Sequence, residues 1–306
     1  MSIDGLDIIK GRRWIYSNKK YIVITGKDLW ILRKDLCIVC CRKDISNVYK
    51  IAFPTDDIML TGQGKKASYR LIKLDDGTDI YTWPLLKMEH SLGRFALSHD
   101  KTLAYDCFDW RGKEHLVKIN LQTGDLDVLR FPQGLRTIDD MMCDKEGFLC
   151  LLESQYEEDG YARISVNGIQ SLHAEQITAN DSCNLKYQWH HSGARIAKYF
   201  LGDTGYILTN DLFMYNPKTA KGFHLLENES TWSPPAYRPS GCWTDDSRHL
   251  VFLMYANVNV ALDWDARKIV ALYRGSFAKG HLVGDEYWIS SDNGIRKLPF
   301  PLIEHV

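Results

Sequence analysis

The residue types that could carry chemistry are scattered along this sequence. Cys37, Cys40 and Cys41 contain one C-x-x-C pair, but a structural zinc site needs four thiolate or imidazole ligands, usually from two such pairs, and no second pair follows. His190 and His191 are adjacent in a predicted turn, where neighbouring side chains rarely converge on one metal. We therefore predict no metal site and no cofactor. The eight cysteines are interpreted as reduced and mostly buried in strands.

A phosphate-binding loop and a nucleophilic-serine motif each require a fixed spacing of residues. Gly62, Gly64 and Lys65 resemble part of a phosphate-binding loop, but Lys66 stands where Ser or Thr is required and no helical pattern follows. A flexible basic hairpin loop is the better interpretation. No G-x-S-x-G sequence, which would place a nucleophilic serine on a sharp turn, occurs in the chain. The sequence predicts no catalytic residues.

Acidic residues gather in segments that we expect to form loops. Carboxylates that converge could hold a hard cation or act on a sugar, whereas solvated loops simply carry charge. The second interpretation is favoured, and the first stays open. The residues concerned are Asp106, Asp109, Asp139, Asp140, Glu157, Glu158 and Asp159.

The elements that would position these residues are short strands that recur along the chain. Residues 95–131 read as four apolar strands joined by tight turns, with Gln122, Thr123 and Gly124 forming the last turn. Degenerate copies place strand openings at Ile22, Ile58, Leu103, Leu149, Ile196, Leu250 and Ile289. Their mean spacing of about 44 residues matches the ~40–45 residues of a four-stranded propeller blade, and strong helical periodicity is missing. We predict an all-β fold, a seven-bladed β-propeller of four-stranded antiparallel blades.

The best copy of the repeat carries a family resemblance. Residues 97–101 read L-S-H-D-K, and residues 119–124 read I-N-L-Q-T-G. This pattern resembles the WD40-like β-propeller superfamily, particularly the bacterial TolB-like type, whose units carry an S-P-D-G-K turn and a later D-L-x-T-G. The resemblance covers nearly the whole chain as a pattern and is specific in two or three units. It implies a bacterial propeller architecture and no particular activity.

The predicted propeller is a single domain over residues 1–306, with its ring closed by pairing of the N- and C-terminal segments. The last unit, residues 282–298, supplies about three strands, so a fourth must come from elsewhere. Residues 6–9 or residues 302–304 could provide it. We favour residues 6–9, because pairing the two ends protects a sheet edge.

The resemblance also implies where a binding face would lie. Propellers bind on the face that carries the loops between strands two and three and those that lead to the next blade. The longest such loop, residues 228–241, contains three prolines and the residue types enriched in interface hot spots. A proline-rich connector that packs its aromatics on its own blade is the alternative. The predicted binding residues are Trp110, Arg111, Asp139, Asp140, Trp232, Tyr237 and Arg238.

The leading functional prediction is a non-catalytic scaffold, a cytoplasmic monomer that presents loops to a protein partner. Lys and Arg number 38 and Asp and Glu 39, and this balance disfavours nucleic acid as the partner. No apolar run approaches ~18 residues and no secretory signal is evident, so we expect no membrane association. The alternative is a propeller enzyme, such as a lactonase, glycosidase or lyase, that uses carboxylates or histidines at a central funnel.

Overall fold

The structure is a computed structural model, and every regular element among its described residues is a β-strand, with no helix. The chain divides into two compact units, the first formed by Met1–Met88, Phe252–Asp263 and Ile269–Val306 and the second by Glu89–Val251 and Trp264–Lys268. The described residues are 9, 11, 13–63, 68–83, 90–91, 95–110, 113–130, 138–144, 147, 149–156, 161–173, 176–188, 199–201, 206–208, 213–216, 219, 221–224, 241–245, 250–255, 258–263, 265–266, 268–274, 280–291 and 294–299.

The first two sheets lie in unit 1, and each contains four antiparallel strands in sequence order. The first sheet contains β1 (Trp14–Ser17), β2 (Tyr21–Thr25), β3 (Leu29–Arg33) and β4 (Ile38–Arg42). The second contains β5 (Val48–Thr55), β6 (Ile58–Gln63), β7 (Tyr69–Lys73) and β8 (Asp79–Thr82). All five residues of β2 are buried, which explains its run of β-branched and aromatic residues in place of an alternating pattern.

Three sheets follow in unit 2, and their strands also pair in sequence order, apart from the first short strand of the third sheet. The third contains β9 (His90–Ser91), β10 (Ala96–Leu97), β11 (Leu103–Trp110), β12 (Lys113–Asn120) and β13 (Leu126–Arg130). The fourth contains β14 (Ile138–Cys143), β15 (Leu149–Tyr156), β16 (Tyr161–His173) and β17 (Gln176–Gln188). The fifth contains β18 (Tyr199–Phe200), β19 (Ile207–Leu208), β20 (Phe213–Asn216) and β21 (Lys221–His224).

Two further sheets complete the described strands. The sixth contains β22 (Gly241–Asp245), β23 (Leu250–Tyr255), β24 (Val258–Asp263) and β25 (Lys268–Arg274). The seventh lies in unit 1 and has three described strands, β26 (Gly280–Val283), β27 (Glu286–Ser291) and β28 (Gly294–Pro299).

The turn between β10 and β11 shows why the repeat motif has its sequence. The Asp100 carboxylate accepts hydrogen bonds from the Ser98 hydroxyl at 2.6 Å, the Thr102 hydroxyl at 2.9 Å and the Thr102 amide at 3.1 Å. These bonds favour the charged form and lower the pKa of Asp100. Lys101 has a φ of 58°, a left-handed conformation that favours glycine. The backbone and side chains of this S-x-D-x-T turn are therefore held by hydrogen bonds within the turn itself.

The first and seventh sheets pack against each other within unit 1. Ile9, which is 0% exposed, belongs to the same apolar cluster as Ile15 of β1 and Val283, Trp288 and Ile295 of the seventh sheet. Polar contacts accompany this packing, with the Arg13 amide donating to Ser290 Oγ at 2.7 Å and Ser17 Oγ lying 2.9 Å from His281 Nε2.

One repeat assignment made from the sequence lies outside the described residues, and one was wrong. A strand was expected to open at Ile196, which is not among the described residues. The residues Val166, Asn167 and Gly168 resemble in the sequence a turn between the third and fourth strands of a unit, but in the structure they lie inside β16, whose thirteen residues continue to His173. The strand openings expected near Ile22, Ile58, Leu103, Leu149, Leu250 and Ile289 all fall within strands.

The expectation that the cysteines are mostly buried needs a correction, because among the six described ones only Cys107 is buried, Cys37 is exposed and the other four are half-buried. Cys37 is exposed, because it lies just before β4, in a turn where the Asp35 carboxylate accepts its amide at 3.0 Å. Cys40 and Cys41 are half-buried, and Val39 is the extra residue of a bulge in β4, which disturbs the alternation of side chains along that strand. All three carry free thiols. Burial raises the pKa of Cys40 and of Cys41, which lowers their reactivity.

Candidate recognition surface

Trp110 and Arg111 were predicted to lie in a loop, and the structure revises that position. Residues 106–110 belong to β11, which pairs with β12 from Leu103 opposite Asn120 to Trp110 opposite Lys113. Two residues, 111 and 112, therefore connect the strands. Arg111 lies outside the described residues, and Trp110 is described by its backbone position alone. The backbone of Trp110 ends a long strand at the tip of a hairpin.

This hairpin is held along both edges of β11 near its tip. On one edge β9 pairs with β11, placing Ser91 opposite Phe108 and His90 opposite Asp109. On the other edge β12 continues to the end of the strand, and the Phe108 ring stacks on His115 with centroids 5.3 Å apart and planes at 14°. Phe108 is buried. Such a hairpin can present a loop residue at low ordering cost, because its backbone is fixed before binding.

Two of the predicted loop carboxylates prove to be buried strand residues. Asp106 in β11 is 0% exposed and accepts the Cys107 amide at 2.8 Å. Asp140 in β14 is 3% exposed, and its carboxylate accepts the amides of Met141 at 2.9 Å and Phe200 at 2.8 Å. Both residues were expected in exposed loops. Sequence alone could not find them, because a buried aspartate in a strand has no local signature.

Asp139 occupies an irregular position in the same strand. The register of β14 shifts between Ile138, opposite Glu153, and Asp140, opposite Leu152, so Asp139 is the extra residue of a bulge. A bulge re-aims side chains and is common beside functional sites. Asp139 thus lies in a strand, not in the predicted loop, and its side chain is outside the described residues.

The remaining predicted binding residues, Trp232, Tyr237 and Arg238, lie outside the described residues. In the sequence they fall between β21, which ends at His224, and β22, which begins at Gly241. The described geometry brings none of the seven predicted residues together.

In unit 1, the loop between the second and third strands of the first sheet and the connection to the second sheet pack against neighbouring residues. The Arg13 guanidinium forms a salt bridge with Asp28 in the β2–β3 loop, and its side chain passes over Gly26, where an added Cβ would lie 2.7 Å from it. The Gly26 carbonyl accepts a 2.7 Å hydrogen bond from the amide of Asn47, which lies in the β4–β5 connection. This bond ties the β2–β3 loop to the connection between the first and second sheets.

An ion-pair network between the first two sheets was missed by the sequence analysis. Arg42 in β4 binds Asp44 at 2.7 Å, Asp79 at 3.1 Å and the Gly77 carbonyl at 2.6 Å. Arg70 in β7 binds Asp79 at 2.6 Å. The Arg42 guanidinium lowers the pKa of Asp44 to about 2. The β7–β8 hairpin could have suggested the ion pair between Arg70 and Asp79, but no local pattern indicates that Arg42 also contacts Asp79.

Among the described residues, no three His, Cys, Asp or Glu side chains form a group that could hold a metal ion. In the same part of the chain no helix is long and apolar enough to cross a membrane.

Solved structures share this arrangement of sheets. The chain is similar to the β-propeller domain of Cps50 (Swd1) from Myceliophteria thermophila, with a TM-score of 0.61 and 9% identity over 94% of this chain and 96% of that one. The fold is that of a WD40-like β-propeller. The propeller is also similar to Kuenenia stuttgartiensis hydrazine synthase, with a TM-score of 0.66 and 11% identity over 99% and 98% of the two chains.

A third similar structure is the C-terminal WD40 domain of Sif2, with a TM-score of 0.50 and 10% identity over 93% of the propeller and 80% of that chain. At these identities the likeness concerns the fold alone. No protein-family model matches the sequence, and no curated protein matches it significantly.

Proposed function

We propose that the chain is a single-domain, seven-bladed propeller over residues 1–306 that acts as a non-catalytic scaffold for protein recognition. Seven sheets among the described strands, which run in sequence order apart from β9, support the blade count. We further propose a cytoplasmic, monomeric protein of bacterial type that binds neither nucleic acid nor membranes. Its near-neutral charge supports the part of the proposal that concerns nucleic acid.

The proposed ring is closed by the segment that ends at Ile9. The seventh sheet has three described strands, and Ile9 packs against residues of that sheet and of the first one. The Ile9 carbonyl also lies 3.8 Å from the position that a Cβ on Gly294, the first residue of β28, would occupy. This proximity supports a fourth strand supplied by residues 6–9, as favoured from the sequence.

The observation that carries the recognition proposal is the hairpin of β11 and β12. Its tip is paired on both edges of β11, so Trp110 and Arg111 would be presented by a fixed backbone. The β21–β22 connection would add Trp232, Tyr237 and Arg238, and Asp139 would contribute from its bulge. Asp140 would act on this surface as a positioning residue, because its carboxylate accepts hydrogen bonds from two backbone amides. Aromatic and arginine side chains supply most interface energy.

An enzyme remains the second candidate, because one of the similar structures is by name a synthase. The proposed enzyme would be a lactonase, glycosidase or lyase that uses funnel carboxylates or histidines. Affinity capture from native lysate, followed by mass spectrometry, identifies a partner. A metal assay on the purified protein separates the candidates, since stoichiometric calcium or zinc would favour the enzyme.

Trp232→Ala together with Arg238→Ala tests the recognition surface. We expect binding of the captured partner to weaken by ~2 kcal/mol or more, with an unchanged melting temperature. Trp110→Ala should act in the same direction. Val128→Ala is the matched control, because Val128 is an apolar residue 45% exposed on β13, the far strand of the same sheet as Trp110. Full binding by a well-folded double variant would exclude this surface.

A further inference from the structure

Three residues of metal-binding type fall in one row across the third sheet. In β11, Asp109 lies opposite His90 of β9 on one side and opposite Glu114 of β12 on the other. Residues that are directly opposite in antiparallel strands share one face of the sheet. His90, Asp109 and Glu114 are described by their backbone positions alone, and this register defines the row.

The strand that supplies His90 departs from the regular order of the sheet. β9 contains only His90 and Ser91, and it pairs with β11 beside the sequential path of the other strands. Four residues separate Ser91 from Ala96 of β10, whereas two separate their partners Phe108 and Tyr105 in β11. The innermost edge of the sheet therefore contains two extra residues, and this irregularity sets the register of β9 against β11.

The row lies on the face of the third sheet that packs against the fourth. Cys107 and Leu116 are opposite each other, and Cys107 is two positions before Asp109, so they share the face of the row. Both belong to one buried apolar cluster with Leu149 and Leu151 of β15. The row thus continues directly from a buried contact between two sheets, where water screens charges less than it does at an open surface.

The pairing of Asp109 with Glu114 needs a positive charge close by. Two like charges directly opposite each other in a sheet are destabilising. Lys113 and Arg130 lie in rows on the opposite face, because Lys113 precedes Glu114 and Arg130 is opposite the residue that follows it. A divalent cation on the face of the row would neutralise both carboxylates.

We propose that His90, Asp109 and Glu114 form a zinc-binding site. Neighbouring strands are about 4.8 Å apart, so the two outer residues are about 10 Å apart, with Asp109 midway between them. The middle residue has the shortest side chain and the outer two have longer ones, which suits convergence on one ion above β11. Zinc accepts imidazole nitrogen and carboxylate oxygen, and three protein ligands leave one coordination position open.

This site has no signature in the sequence, because its ligands come from three strands and are joined by register, not by spacing. For that reason no metal site was predicted from the sequence. The part of the chain whose side chains are described contains no metal-binding group. His90, Asp109 and Glu114 are outside that part.

The inference goes beyond the proposed recognition function and does not rest on it. Asp109 directly precedes Trp110, so a bound ion would also fix the backbone beside the hairpin tip. Water in the open coordination position would be activated by the metal, as in three-ligand catalytic zinc sites. An occupied site would therefore favour the enzyme over the scaffold as the function of this chain.

The test is zinc binding by the full chain, which is prepared free of metal and titrated by calorimetry. We expect one equivalent of zinc per chain and a higher melting temperature when zinc is bound. Asp109→Asn and His90→Ala should each weaken zinc affinity tenfold or more, because even the loss of a residue that only orients a ligand costs about tenfold to a hundredfold. Without zinc, Asp109→Asn should be at least as stable as the natural chain, since the like-charge pair is removed.

Three variants serve as controls, and each should keep the zinc affinity of the natural chain. His115→Ala removes a histidine from the opposite face of the same sheet, next to Glu114. Asp127→Asn removes an exposed carboxylate from β13. Cys37→Ser removes the exposed thiol, which could itself bind zinc.

Three results would overturn the proposal. They are no stoichiometric zinc in the natural chain, full affinity in both Asp109→Asn and His90→Ala, and loss of zinc from Cys37→Ser. A partner captured by the zinc-free chain would leave the recognition proposal standing in each case, so the two proposals can fail separately.

Discussion

The backbone amide of Phe200 donates a 2.8 Å hydrogen bond to the carboxylate of Asp140, sixty residues earlier in the chain. Both residues are buried, and they belong to the first strands of the fifth and fourth sheets. The other carboxylate oxygen accepts the Met141 amide at 2.9 Å. One side chain therefore fixes its own strand and joins it to the neighbouring sheet in unit 2.

Asp140→Ala should destabilise the protein by about 2 to 4 kcal/mol, because it removes the acceptor of two buried amides. Urea denaturation followed by tryptophan fluorescence measures this change. Asp127→Ala, at an exposed position on β13, is the control and should change stability by less than about 0.5 kcal/mol. If Asp140→Ala kept its stability but lost its partner, Asp140 would be a binding residue and not a positioning one.

Asp140 also shows what limited the sequence analysis. The turn at Ser98–Thr102 was predictable, because its hydrogen bonds join residues two positions apart and leave a local pattern. The bond from Phe200 to Asp140 depends on how two sheets meet, and no spacing in the sequence encodes it. The acidic cluster was consequently placed in loops, although Asp106 and Asp140 are buried in strands.

The repeat assignment failed where a strand is longer than the repeat predicts. β16 has thirteen residues, so residues 166–168, which resemble a turn in the sequence, continue a strand. The pairing of β9 with β11 was also missed, because the contact of Ser91 with Phe108 and of His90 with Asp109 joins segments that leave no common local pattern.

The turn between β7 and β8 depends on a glycine that faces a cysteine of another sheet. Gly77 has a φ of 74°, and an added Cβ would overlap Cys40 Sγ in β4. Gly77→Ala should lower the free energy of unfolding by about 2 to 4 kcal/mol, the sum of backbone strain and overpacking. Chemical denaturation measures the loss.

A double-mutant cycle separates these two causes. In a Cys40→Ala background the overlap is relieved, so Gly77→Ala should cost only about 1 to 2 kcal/mol, the backbone share. Gly147→Ala provides a reference for backbone strain alone, because Gly147 has a φ of 89° and open space around it. Equal costs of Gly77→Ala in the two backgrounds would show that Cys40 does not restrict this turn.

The ion pair between Arg42 and Asp44 predicts a pH dependence of stability. Hydrogen bonds from Arg42 lower the pKa of Asp44 from its ordinary 3.8 to about 2 in the folded protein. Because the folded-state pKa lies below the unfolded value, this contribution is present above about pH 4 and disappears as the pH falls toward 2. Asp44 is 54% exposed, so solvent screening limits the contribution to about 0.5 to 1 kcal/mol.

Asp44→Asn should therefore be less stable than the natural protein at pH 6, with the difference shrinking at pH 3. Denaturant midpoints at the two pH values measure it. Asp75→Asn, at an exposed position in the β7–β8 turn, controls for the loss of one negative charge. A difference for Asp44→Asn that stays constant between pH 6 and pH 3 would contradict the assigned ion pair.

Lys101 occupies the place in the β10–β11 turn where the TolB-like repeat has glycine, and its φ of 58° explains that preference. Its side chain is exposed, so replacement by glycine removes backbone strain without loss of packing. Lys101→Gly should raise stability by about 0.5 to 1 kcal/mol, because relief of the left-handed strain exceeds the added entropy of the unfolded chain. Thermal unfolding by circular dichroism measures the gain. Lys118→Gly, in the regular strand β12 of the same sheet, should instead lower stability by a similar amount. Equal losses for the two variants would show that the turn does not impose the left-handed conformation on residue 101.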